Sequence, residues 1–319
     1  MKPVEPIVRQ RYLALISLFA SLPCMAMTFQ TPLESVEWKV EGDQFECRLS
    51  QPINNFGAGE FVRRAGEKVI FRLTSSSGLL ASGSATLLAA AAPWQPGRGD
   101  INLGAVRLGG GEALFNSSQG QASGLLGGLM EGRSTVVRSF SGDAGRAVEV
   151  RVLPVKFNKA YSDYQACTAK LLPMNYDQVR ITQIGFPRGI ELDAAGRKRL
   201  DTLLAYMKAD PTVNHVELDG HSDNSGNRLN NRDLSRRRAL AVMDYLKANG
   251  VTEEQITLRF HGERYPLVPN TSAANRARNR RVNIQLERVA PVEKPAPEAA
   301  KPAETPAAAP APGKPAAIS

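Results

Sequence analysis

The 319-residue chain holds only three histidines, three cysteines and two tryptophans, and aromatic residues make up 6% of it. These scarcities remove classes of function. There is no His-Glu-x-x-His pattern, and no serine or cysteine has a convincing base nearby in sequence, so the usual signatures of a zinc hydrolase and of a nucleophilic enzyme are both missing. The formal charge of +9 would suit a nucleic-acid partner, but the arginines come without the aromatics on which bases stack. Apart from Tyr12 to Leu22, itself too short to cross a bilayer, no apolar run is long enough for a transmembrane helix. We therefore expect no enzyme, no cofactor, no metal, no nucleic acid and no membrane span.

The N-terminal residues read as an export signal. Arg9 and Arg11 precede the apolar run, and Ala26, with Cys24 two residues before it, makes a cleavage site ahead of Met27. Lipidation of Cys24 fits poorly, because Pro23 stands where a small residue is expected. Removing residues 1–26 leaves Cys47 and Cys167, an even number in an oxidising compartment. A disulfide between them is expected, joining the first domain to the start of the second; two buried free thiols are the alternative.

The fold class expected is α+β with two domains. Residues 27–170 read as mainly antiparallel β, in a sheet or barrel-like arrangement. Val36-x-Trp38-x-Val40, Phe45-x-Cys47-x-Leu49, Val69-x-Phe71-x-Leu73 and Val148-x-Val150-x-Val152 alternate with period two, and Gly42-Asp43 marks a hairpin. Ala122 to Glu131, rich in glycine and leucine, stays open between short helix and loop. Cys167 to Tyr176 leads into a second domain, 171–288, where strands and helices alternate: Val179–Phe186, Ala194–Lys208, Val213–Asp219, a helix ending at Asn249, Ile256–His261 and Arg281–Glu287. Asp193 caps one helix and Thr252-x-x-Gln255 resembles a capping box. Two helices on a small mixed sheet make an α/β sandwich. Residues 289–319, alanine and proline with a few charges, have too little branched apolar surface for a core and read as a disordered tail.

The chemistry concentrates after the second of these strands. Gly220-His221-Ser222-Asp223 ends a half-buried strand and enters turn residues, so Asp223 falls on a loop. Asn231, Leu234 and Arg238 then stand at i, i+3 and i+7 on one helix face, Asn231 and Arg238 about 10 Å apart along the axis. Asn270 and Asn279-Arg280-Arg281 follow. A carboxylate can accept from an ammonium, and a guanidinium can hold a carboxylate through two parallel hydrogen bonds, so the two together suit a small zwitterion. A direct Asp223–Arg238 pair that merely pins loop to helix is the bland alternative.

The order and spacing of these residues, from Gln178 to Glu287, resemble the OmpA-like peptidoglycan-binding domain. The resemblance implies that Asp223 takes the ammonium and Arg238 the carboxylate of the free end of diaminopimelate. Asn231 and the backbone near Ser222 and Leu234 would add hydrogen bonds, Arg280 would line the far side, and Asn279 would either join them or brace its loop. Ser222 replaces the family's usual threonine. The first domain, through Trp38-Lys39-Val40, Cys47-Arg48-Leu49-Ser50-Gln51-Pro52-Ile53 and a second cysteine at the junction, resembles the MotY family of flagellar-motor components. That resemblance implies the periplasm, a ring around the flagellar basal body and support of stator proteins bound to the wall. A general envelope anchor of the OmpA/Pal type is the main alternative. A cell-wall amidase using His221-x-Asp223 and His261-x-Glu263 is a distant one.

Overall fold

The computed structural model describes residues 27–289, except 77–79, 81, 93, 96, 110, 112 and 141–145. The export segment, and the tail beyond Val289, lie outside the described residues.

The first domain is built from β1 (Met27–Phe29), β2 (Lys39–Gly42), β3 (Glu46–Ile53), β4 (Gly57–Arg64), β5 (Ile70–Ser75), β6 (Gly83–Ala90), β7 (Ile101–Leu108), β8 (Ala113–Asn116), α1 (Gln119–Met130), β9 (Ser134–Phe140), β10 (Ala147–Val152) and α2 (Phe157–Thr168). Two five-stranded sheets result, ordered β2-β3-β4-β5-β8 and β1-β10-β9-β6-β7. All pairings are antiparallel except β1 beside β10. Alternation sets the faces: along β3, Cys47, Leu49, Gln51 and Ile53 are buried. Cys47, Leu49 and Ile53 join Leu87, Val137 and Val150 of the other sheet in one apolar core, where the Phe71 ring lies 5.0 Å from that of Phe61 and 6.0 Å from that of Phe115.

One segment left open in sequence resolves, and two features differ from expectation. The glycine-rich segment is a helix, α1, opened by a capping box between Ser118 and Gln121. Val36 to Trp38 lies outside any strand; a short 3-10 turn precedes it, and the Trp38 indole donates to the Val155 carbonyl. An unexpected helix, α2, carries Cys167. The Cys47–Cys167 disulfide forms, with Cα atoms 6.1 Å apart. It ties α2 to β3 and so closes the first domain on itself, instead of joining it to the second.

The second domain consists of α3 (Tyr176–Val179), β11 (Ile181–Gly185), α4 (Ala194–Ala209), β12 (His215–Gly220), α5 (Arg228–Ala248), β13 (Ile256–Phe260), α6 (Ala273–Asn279) and β14 (Arg281–Glu287). The sheet runs β11-β14-β12-β13, with only β12 and β13 parallel. Leu200, Leu203 and Tyr206 of α4 and Ala239, Val242 and Leu246 of α5 pack on Val216, Leu218, Val282 and Ile284, making the expected sandwich. Asp193 caps α4 by accepting from the Gly196 amide.

The two cores meet at adjacent residues: Leu171 packs on the first and Leu172 on the second. The hairpin tips of the first domain rest on the second. Leu172 donates its amide to the Gln44 carbonyl, Asn175 donates to Glu67 at 2.7 Å, and the Phe45 ring lies 5.6 Å from that of Tyr206.

Candidate binding site

The site forms where β12 hands over to α5. Gly220, the last residue of β12, is pressed against α5: a Cβ there would sit 2.3 Å from the Ser235 carbonyl oxygen, so any other residue would push helix from strand. This approach brings the 221–223 backbone alongside the helix. Ser222 donates its amide to the Gly262 carbonyl and its hydroxyl to the Asp223 carbonyl. Asn227 caps α5 through the Asn230 amide, ending the loop.

Arg238 is 1% exposed, and its guanidinium cannot be relieved by deprotonation at ordinary pH. Its Nε donates to the Gly189 carbonyl at 2.9 Å and its Nη1 to the His221 carbonyl at 3.3 Å, and the group lies over the Phe186 ring at 5.7 Å. No carboxylate of the described residues lies within ion-pair distance of it; the Asp223–Arg238 pair that would have made the site merely structural is not formed. Burial, then the like charge of Arg280, lowers its pKa to about 10, with Asp223 opposing.

Asp223 pairs instead with Arg280, Oδ2 accepting from Nη1 at 2.8 Å, while Oδ1 accepts from the Ser225 amide at 3.0 Å. Burial alone would raise this carboxyl; the Arg280 and Ser225 hydrogen bonds outweigh it and hold the group below its ordinary value. Arg280 is itself fixed by the Phe186 and Pro187 carbonyls. The three charges therefore form a rigid array, two cations to one anion.

The other expected residues divide. Asn231 is buried and donates to Glu263 at 2.5 Å. Leu234 is half-buried on the same helix. Asn279 is a brace: its Oδ1 accepts from the Leu267 and Val268 amides, and its Nδ2 donates to the Val268 carbonyl and to Asn270. Sequence reasoning missed Phe186 and Gly189, which lie far from the motif, and weighed Glu263 only as a metal ligand, not as the partner of Asn231. It also missed the role of His221, whose ring is buried, stacked 5.1 Å from His261 and close to Arg281. Only the glycine at 189 and the aromatic at 186 carried any local signal.

Residues 29–173 match the family described as MotY N-terminal domain, and residues 187–280 match the OmpA family. The sodium-type flagellar protein MotY of Vibrio parahaemolyticus is 27% identical over 267 residues, which cover 81% of this chain and 89% of that protein. Outer membrane porin F of Pseudomonas fluorescens is 40% identical over 85 residues, covering 27% of this chain and 26% of that one. Among solved structures, the C-terminal domain of Helicobacter pylori MotB aligns at 23% identity with a TM-score of 0.31, covering 33% of this chain and 84% of that chain. Among the described residues no helix is long and apolar enough to cross a membrane.

Proposed function

From a chain that joins a MotY N-terminal domain to an OmpA-family domain, we propose a periplasmic component of the flagellar motor that grips peptidoglycan with its second domain and docks to the basal body with its first. The observation that carries the wall-binding part is Arg238, a buried cation with no protein carboxylate beside it among the described residues. A buried charge calls for a counter-ion. The carboxylate at the free end of diaminopimelate supplies one, accepting from the guanidinium N–H groups that the Gly189 and His221 carbonyls leave free. Its ammonium meets Asp223, whose oxygens are already aligned by Ser225 and Arg280. Asn231, Ser222 and the Leu234 backbone frame the same pocket, and Asn279 holds the neighbouring loop.

Asp223→Ala and Arg238→Ala should each weaken retention on purified peptidoglycan by about 2–5 kcal/mol, because each strands a buried charge. Arg238→Lys should fail as well, since an ammonium cannot make the two-pronged contact. Retention of all three variants at the wild-type level would refute the pocket.

Among the described residues of the first domain the buried charges Glu60, Glu149 and Arg133 are each paired with an opposite charge, which favours a protein-docking role and separates a motor component from a general envelope anchor. A fragment covering 27–173 keeps both cysteines of its disulfide. Fused to a fluorescent protein, it should reach the flagellated pole without holding stators, and a 178–287 fragment should bind wall without localising. Localisation and restored swimming by the 178–287 fragment alone would reverse that assignment.

A further inference from the structure

The sheet face of the second domain turned away from α4 and α5 is separate from the residues proposed to hold the wall ligand. At its far end the β12–β14 register sets His215 opposite Glu287, with Glu217 two residues along β12. Period-two alternation puts all three on this outer face, while Val216, Leu218 and Leu286 point into the core. One ligand-bearing atom from each of His215, Glu217 and Glu287 lies within 4.8 Å of the others.

Each of the three is also held by a neighbour. His215 Nε2 is 3.0 Å from the Thr257 hydroxyl, Glu217 Oε1 accepts from Arg259 at 2.5 Å, and Glu287 Oε1 accepts from Gln285 at 2.8 Å. With Nε2–H donating to Thr257, Nδ1 keeps a free lone pair. Outer partners of this kind fix the tautomer of a metal-ligating imidazole and the orientation of its carboxylate companions. Two carboxylates against one arginine leave the group net negative, which a dication would neutralise.

We infer that His215, Glu217 and Glu287 form a binding site for a first-row divalent cation of the zinc type. One imidazole nitrogen and two carboxylate oxygens would bind the ion, and water would complete its shell. No linear motif could show the site, because strand register assembles it from residues 72 positions apart in the chain (215 to 287). The ion would clamp the last strand to β12 where the chain leaves the domain, beside the Asn214 amide that already brackets Val289. Five residue steps along β12 separate His215 from Gly220, about 17 Å, so the clamp and the wall pocket are independent.

Calorimetric titration of the untagged exported chain with Zn²⁺, and with Mg²⁺ for comparison, tests this. One Zn²⁺ per chain is expected, with Mg²⁺ far weaker. His215→Ala and Glu287→Gln should abolish the binding, and Gln285→Leu, which removes only an outer partner, should weaken it about 10–100-fold. Retention on peptidoglycan should be unchanged in all three, which also shows that they are folded; Glu287→Gln decides alone if His215→Ala is not. No Zn²⁺ uptake by the wild-type chain would overturn the inference. So would equal uptake by the variants, which would place the ion elsewhere, for instance at the His221–His261 pair.

Discussion

Breaking the Cys47–Cys167 bridge should cost the first domain much of its stability. The bridge closes a loop of 120 residues, for which loop-closure entropy gives about 5 kcal/mol at 25 °C. Both ends are in packed structure: Cys47 is fully buried on β3, and α2 sends Phe157, Ala160 and Tyr164 into the same core. Reduction of the wild-type chain removes the bond with no change of side chain, and Cys47→Ala with Cys167→Ala removes it without burying new hydroxyls. Trp38 is the natural reporter, its ring 5.1 Å from Phe157 of α2, whereas Trp94 is 71% exposed. At a urea dependence of about 1–3 kcal/mol per molar, the Trp38 transition should move down by roughly 2 M or more in both cases. A shift of a few tenths of a molar would mean that α2 is held by packing alone, and would refute the assignment of the bridge as the closure of this domain.

Two further perturbations act in the second domain. His221 is buried, and burial, then Arg281 and His261, lowers its pKa to about 4, with only Asp219 opposing. The unfolded imidazole protonates near 6.5, so stability is complete above that pH and falls as pH drops from about 6.5 to 4, by up to about 3 kcal/mol. Urea unfolding across this range should show the slope in the wild type and lose most of it in His221→Gln. Asn279→Ala deletes four hydrogen bonds that shape the 267–270 loop and should cost about 2–4 kcal/mol, read as a lowered thermal midpoint.

The second domain was the more legible in sequence because its signals are local. The alternation of Arg281 to Glu287 matches β14 residue for residue, and Asn227 and Asp193 sit at helix starts as caps. The missed elements lack such signals. α2 begins after Lys156, which is left-handed at φ 59° and offers no side-chain cap, so its 157–160–164 apolar face had no visible start. α6 is seven residues, mostly polar, with no apolar stripe. In α1 the glycines left helix and loop equally open, and packing bears on two of them: a Cβ on Gly124 would lie 2.7 Å from the Leu103 side chain and one on Gly128 2.8 Å from the Ala89 Cβ, whereas Gly120 and Gly127 have open space around them. At the site, the motif identified Asp223 and Arg238 as the charged pair of interest. That Asp223 would be bound by Arg280, leaving Arg238 without a carboxylate, follows from tertiary packing around Phe186 and Gly189 and could not be read from spacing.

The most direct test of the account is a titration of the exported chain with free diaminopimelate and with its derivative amidated at the recognised carboxyl, for the wild type and Arg238→Ala. A buried guanidinium awaiting a carboxylate predicts saturable binding of diaminopimelate by the wild type, and loss of that binding both on amidation and in Arg238→Ala. Equal binding of the amidated derivative, or undiminished binding by Arg238→Ala, would contradict it.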